Sequence, residues 1–230
     1  MKFEEIILAL ILFAICSCFL TLFLRAFYHK KFKRALILKG LASVCFVALG
    51  AYSLFTSDMA TYKIIIFIGL CWGIIGDEII ALCQIFPKYD THNFLGGGAC
   101  FIIGHVLYMI AMLMIDKINI IPVIFTFSLA IILSMIYGNK KQYFVGKMKH
   151  SLVLYIGVEI LATAVAASVF INRGTIGSAL FVLGGALFTI SDNLLFAFKF
   201  GNRPRYRQNV WLHITYYLAQ FVIAFSISCI

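Results

Sequence analysis

The sequence predicts an all-α membrane protein, a single multi-pass domain over residues 1–230 with eight transmembrane helices. Three observations predict it. The composition is 63% hydrophobic and only 12% charged, where a soluble domain is about half apolar and about a quarter charged. Eight apolar stretches of roughly twenty residues follow one another, each able to cross a hydrocarbon core of about 30 Å at a rise of 1.5 Å per residue. The connections between them are short, which leaves no room for a soluble domain.

The spans fall near 5–24, 36–57, 62–86, 94–115, 118–137, 150–171, 176–198 and 210–230. The first follows a leader, Met1–Glu5, with one Lys against two Glu, and no small-residue cleavage site comes after it. It therefore reads as a mature helix and not as a signal peptide. The second begins in a basic segment and carries Lys39 at its start. The third and seventh each hold an acid, Asp77 and Asp192. The fourth carries His105 and Tyr108, the fifth is apolar throughout, and the sixth holds Glu159. The eighth carries His213, Tyr216, Tyr217 and Gln220.

The net charge of +10 is a topology signal. Six Lys and Arg lie between helices 1 and 2, one between 3 and 4, four between 5 and 6 and four between 7 and 8, fifteen of the nineteen. The other side holds Lys2, Lys63, Lys117 and Arg173. The positive-inside rule then places both termini outside the cytoplasm. A charge distributed in this way argues against nucleic acid as a partner. The seven cysteines, Cys16, Cys18, Cys45, Cys71, Cys83, Cys100 and Cys229, all fall within predicted helices and show no metal-ligand spacing; they read as small apolar fillers. No His-x-x-x-His pair and no Gly-x-Ser-x-Gly elbow is present, so neither a zinc site nor a serine hydrolase is supported. The residues call for no metal and no cofactor.

An acid at hydrocarbon depth costs several kcal/mol, roughly 2.5 or more, and persists where it faces a polar cavity or has a task. Asp77 and Asp192 sit in matching contexts, Gly69-x7-Asp77 and Gly184-x7-Asp192, each with a small residue just before the acid. With the pairs His105/Tyr108 and His213/Tyr216 on the following helices, each four-helix half would end in an Asp helix and a His-x-x-Tyr helix. A 4+4 parallel internal repeat would explain this pattern. By the helical period, Gly69, Gly73, Gly76, Asp77 and Gln84 share one face of helix 3, and Ser178, Gly185, Thr189 and Asp192 one face of helix 7. Gly98, His105, Tyr108 and Met112 line up on helix 4, and His213, Tyr216, Tyr217 and Gln220 on helix 8. Such faces must point inward, because lipid cannot satisfy them. Both acids lie about 9–14 Å from the cytoplasmic ends of their helices, so the polar groups converge on a cavity open toward that leaflet. His213 lies near enough to the interface for solvation.

Four of the nine acids are intramembrane: Asp77, Glu78, Glu159 and Asp192. Lys39 is the one cation near enough to pair with any of them. Two carboxyls in one low-dielectric site can divide the roles of general acid and base. Glu78 is about 100° round from Asp77, and Glu159 stands alone on helix 6.

The segments GLCWGIIGDEIIAL (69–82), FLGGGACFIIGHVLYMIAM (94–112), GGALFTISDNLLFAF (184–198) and TYYLAQ (215–220) resemble the lysoplasmalogenase (YhhN-like) integral membrane proteins, with the family's motifs in the family's order. One departure is Gly40 after Lys39, where that family has a Lys-Pro-like start to helix 2. The resemblance implies hydrolysis of the vinyl-ether bond of lysoplasmalogens, giving a fatty aldehyde and a glycerophospho-base. The substrate would be a lysophospholipid reached from the bilayer, in a bacterial cell membrane or a eukaryotic endoplasmic reticulum. Vinyl-ether hydrolysis needs a positioned acid to protonate carbon, a negative charge beside the oxocarbenium, and an activated water. Asp77 and Asp192 are the candidate catalytic pair. His105, Tyr108, Tyr216, Gln220 and Lys39 are the candidate substrate-binding residues, with Lys39, Lys199 or Arg203 near the phosphate. The competing class is a proton-coupled small-molecule or lipid transporter, whose site belongs near the midplane and must be reachable from both sides.

Overall fold

The computed structural model describes residues 3–128, 149–201 and 205–230. The latter part of the expected fifth span lies outside the described residues, as do Lys2, Lys140, Lys141, Lys147 and Arg203. Among those described, every regular element is helical: α1 (Phe3–Tyr28), α2 (Phe32–Thr56), α3 (Thr61–Ile85), a 3₁₀ turn (Pro87–Tyr89), α4 (Asp90–Ile115), α5 (120–128), α6 (Lys149–Arg173), α7 (Ile176–Phe200) and α8 (Tyr206–Ser226). Most run a few residues beyond the apolar stretches that marked them.

The links are made by local chemistry. Lys30, at φ 57°, turns the chain out of α1 while its N–H and that of Lys31 bond back to Phe27 and Ala26 at 2.9 Å. Pro87 has no N–H to continue α3, so the helix stops and a single 3₁₀ turn leads into α4. Between α6 and α7 stand Gly174 and Thr175. Gly174 adopts φ 62°, the left-handed conformation that ends many helices, and Thr175 caps α7 by accepting from the Ser178 N–H at 3.3 Å. Lys63 and Arg173, on the side predicted to be external, pair with Asp58 and Asp116. The hydrogen bond from each cation holds its carboxyl below the ordinary range.

The packing order is α1, α2, α3, α4, α6, α7, α8, and α8 returns to α1 and α2 and touches α3, which closes the ring. Among the described residues, six helices are long and apolar enough to cross a membrane: α1, α2, α3, α4 with its preceding turn, α6 and α7. Helix α8 is more polar because it turns Asn209, His213, Tyr216, Tyr217 and Gln220 inward. The outer surface carries Ile11, Val44, Phe55, Ile75, Ile171 and Ile190, all exposed. Lipid is the solvent that such a surface fits.

Helices α3 and α4 meet through glycine. A Cβ on Gly76 would stand 2.9 Å from the Gly97 carbonyl oxygen, and one on Gly104 3.2 Å from that of Gly69. The α7–α8 pair is built in the same register. A Cβ on Gly184 would stand 3.2 Å from the Ala219 carbonyl, and Ser191 Oγ bonds the Leu212 carbonyl at 3.1 Å. Gly69 to Gly184, Gly104 to Ala219, Gly76 to Ser191 and Gly97 to Leu212 are each displaced by 115 positions, the spacing of Asp77 and Asp192. In that register the counterpart of His105 is Gln220 and that of Tyr108 is Ile223. The packing corrects the motif pairing: His105 and His213, 108 apart, are not in equivalent places.

Candidate functional site

Helices α2, α3, α7 and α8 bring polar groups to one cavity. Its walls include Lys39, Asp77, Ser191, Asp192, His213 and Tyr216, with Phe27, Phe32, Phe94 and Phe198 toward the helix ends. Those ends belong to the α1–α2, α3–α4 and α7–α8 connections, the side to which the sequence assigns most basic residues. The cavity measures about 90 Å³, well above the roughly 10–15 Å³ that one water needs. Lys199 lines the mouth and is paired with Asp90.

The two acids are held differently. Asp77, one turn beyond Gly73 on the face that packs against α4 and α8, receives the Lys39 ammonium at 2.7 Å on Oδ1. Ser43 donates to Oδ2 at 3.0 Å, and the Tyr217 hydroxyl stands 3.4 Å from the same oxygen. Tyr217 also donates to the Lys39 carbonyl at 3.1 Å. Lys39 and Ser43 are four apart on α2, so both side chains leave the same face. Asp192 accepts a short hydrogen bond from the Tyr155 hydroxyl of α6. Glu159, one turn on from Tyr155, is fully buried beside Asp192, with Oε1 meeting no hydrogen-bond donor among the described residues. Among the described residues no ion pair reaches Asp192.

Tyr216 is the floor of the cavity. Its hydroxyl lies 3.4 Å from the Gly73 carbonyl and accepts from Gln220 Nε2 at 3.2 Å. Gln220 lies behind it, against Gly73, and Tyr108 fills the space over Gly69. His105 packs its ring against Phe188 with centroids 4.7 Å apart, and its Nε2 has no hydrogen-bond partner among the described residues. Of the expected site residues, Asp77, Asp192, Lys39 and Tyr216 therefore share one cavity. His105, Tyr108 and Gln220 form a packed layer beneath it and do not line it.

Two expectations change. Lys39, offered with Lys199 or Arg203 as a neighbour of a substrate phosphate, has its ammonium engaged by Asp77, and seven residues into α2 it is buried. His213 was expected to be solvated; it is buried, with Nδ1 2.7 Å from the Asn209 carbonyl and its ring 4.7 Å from that of Phe23. Glu78, on the neighbouring face of α3, points at α2, where a Cβ on Gly40 would stand 3.4 Å from its Oε1. A Cβ after Lys39 would thus be in ordinary van der Waals contact with that carboxyl. Ser43, Tyr155 and Glu159 were not assigned to the site from sequence. The signal for the last two was their four-residue spacing, which puts a phenol and a carboxyl on one face of an apolar helix. Tyr217 was visible on the inward face of α8 but had no assigned partner.

The chain matches the family model of the YhhN family over residues 34–227. It belongs to the YhhN family. Comparison with curated proteins and with solved structures gave no match.

Proposed function

Taking membership of the YhhN family as the premise, we propose that the protein is a membrane ether hydrolase. It would cleave the vinyl-ether bond of lysoplasmalogens to a fatty aldehyde and a glycerophospho-base. The observation that carries the reading is the unlike setting of two acids in one apolar-walled cavity, Asp77 ion-paired to Lys39 and Asp192 bonded, among the described residues, only to a neutral hydroxyl.

In this reading Asp192 is the general acid. It protonates the vinyl carbon one removed from the ether oxygen, and positive charge develops on the carbon bearing that oxygen. Asp77 supplies the opposing negative charge, held in place by Lys39, Ser43 and Tyr217, and takes a proton from the water that adds to the oxocarbenium. The hemiacetal then collapses. Its carbon–oxygen bond to glycerol breaks as Asp77 returns its proton to the departing glycerol oxygen, and Asp192 takes the hydroxyl proton as that oxygen becomes the aldehyde carbonyl. The net change is addition of one water across the broken bond, with both carboxyls restored.

The layer beneath Tyr216 supports an enzyme over a carrier. Gln220 fills the space at Gly73 and Tyr108 the space at Gly69, so the cavity is backed by packed side chains on its far side. The eight-span topology, the parallel repeat and the external termini belong to the same proposal, supported by the shared 115-residue packing register and by the asymmetry of basic residues. The test is incubation of purified protein with an alkenyl lysophospholipid, scoring released aldehyde, with the acyl analogue as control. Aldehyde from the alkenyl substrate alone is expected; none from it would remove the proposal.

A further inference from the structure

Beside the central cavity lies a second recess of about 240 Å³, between α4 and α6. The two share Ile80, Phe94, Phe101 and Leu195 as walls, so a single layer of apolar side chains divides them. The recess exists because α4 presents Gly98 and Ala99, and α6 presents Ser151, where bulkier side chains would close the gap. At Gly98 an added Cβ would meet only the Tyr155 ring, at 3.8 Å. Its outer rim is Leu95 and Leu154, both exposed on the surface that faces lipid. Its inner wall is Tyr155, whose hydroxyl bonds Asp192.

From this continuity we infer that the recess is the subsite and lateral portal for the aliphatic chain of a single-chain lipid substrate. The inference rests on the hydrolase reading above. The central cavity is lined by Lys39, Asp77, Asp192, Lys199 and Asn209 at a volume of about 90 Å³. That is room for reacting atoms and water, where a drug-sized ligand fills roughly 300–1,000 Å³. A long chain must leave it, and the recess is the apolar space on the acid's side of the cavity. Among the described residues, no charged side chain lines the recess. Gly98 and Tyr155 lie eight residues into α4 and six into α6, about 9–12 Å below the helix ends. A chain passing there runs beside Tyr155 and keeps its ether end against Asp192. The competing exit is a groove between α1 and α8 whose floor is Tyr217. It has no wall residue in common with the central cavity.

Two measurements test the portal. The first fills each route: Gly98→Phe for the recess and Ser17→Phe for the α1–α8 groove. Aldehyde release is then followed on alkenyl lysophospholipids of long and short chain. Gly98→Phe should raise KM for the long-chain substrate by about tenfold or more, the scale of losing a few buried methylenes. It should leave the short-chain substrate within about threefold, and Ser17→Phe should change neither. An equal effect of Gly98→Phe on both chain lengths, or a chain-dependent loss in Ser17→Phe, overturns the assignment. The second uses wild-type protein and a non-hydrolysable saturated-ether lysophospholipid with a photoreactive diazirine near its chain end. Crosslinks in α4 and α6 are expected, and crosslinks confined to α1 and α8 overturn the portal. This arm stands if Gly98→Phe fails to fold. It also separates the two ideas, since wild-type protein that takes crosslinks in α4 and α6 but releases no aldehyde keeps the portal and loses the hydrolase.

Discussion

The ammonium of Lys39 stands 2.7 Å from Asp77 Oδ1 and donates at 2.9 Å to the main-chain carbonyl of the same residue. One side chain thus grips α3 at two points and fixes where the Asp77 carboxylate sits. It also leaves Asp192 across the cavity without a cation among the described residues, and that difference separates two otherwise similar acids. Sequence similarity between the two Gly-x7-Asp segments gave them equal standing. The second layer of partners, Lys39 and Ser43 on α2 against Tyr155 on α6, breaks the tie.

Removing Lys39 should be costly in two ways. Both side chains of the pair are almost wholly buried, and taking one partner from a buried ion pair costs about 3–5 kcal/mol because the other charge is stranded. Lys39→Met is expected to lower thermal stability in detergent accordingly and to abolish aldehyde release. Lys39→Met combined with Asp77→Leu should recover much of the stability and none of the activity. If Lys39→Met alone unfolds at the wild-type temperature, the pair does not carry the weight given to it.

Tyr155→Phe deletes one hydroxyl and leaves the ring that packs against Phe196 and His105. A hydrogen bond to a charged or charge-developing group is worth about 1.5–3 kcal/mol. Turnover should therefore fall about tenfold or more, with a moderate drop in melting temperature because a buried oxygen loses its donor. Unchanged kcat in a folded Tyr155→Phe protein would detach Asp192 from its proposed support.

Helix approach can be tested away from the chemistry. Gly76→Val should cost about 1–3 kcal/mol through overpacking, because even a Cβ there would lie 2.9 Å from the Gly97 backbone oxygen. A Cβ on Gly157, on α6, would meet nothing within 4 Å among the described residues. Gly157→Ala should be neutral or raise stability by roughly 0.5–1 kcal/mol through helix propensity. Equal unfolding temperatures for the two variants would contradict the glycine-mediated contact of α3 and α4.

The fold class was legible because a span of twenty apolar residues has few other uses, and Asp77 and Asp192 were legible because an acid at that depth has fewer still. Lys39 was legible as the one cation within reach, but its task was not. A lysine at the start of an apolar stretch reads as interfacial until the true helix start, Phe32, is known. Tyr155 and Glu159 were hidden because period alone does not say which neighbour a face of α6 meets. His105 was over-read for a related reason: its face points inward, as the period requires, but to an aromatic layer beneath Tyr216. His213 was under-read, since α8 begins at Tyr206 and not at 210, which carries the histidine about one turn deeper.

The orientation in the membrane has its own test. With fifteen of nineteen basic residues assigned to one side by the eight-span reading of the sequence, a reporter fused after Ile230 should be active only where it works in the external compartment. Activity in the cytoplasm would reverse the topology and turn the cavity mouth to the other leaflet.

The chemistry turns on the carboxyls themselves. Asp77→Asn and Asp192→Asn keep size and most hydrogen bonding but cannot exchange a proton as a carboxyl does. Each is expected to lower kcat by about 10²-fold or more, the scale for losing a general acid or base. Because the two act on one substrate in one cavity, the losses in the double variant should be far from additive. Asp77→Asn leaves the buried Lys39 ammonium without its carboxylate, so it should lose stability as well, whereas Asp192→Asn still offers Tyr155 an oxygen to bond. Glu159→Gln should be milder than either, since it keeps the volume beside Asp192 and removes no group assigned to the substrate. Single-turnover aldehyde release, with circular dichroism to establish folding, measures all four variants. Full activity in either folded Asp→Asn protein would leave the two-carboxyl mechanism without its acid or its base.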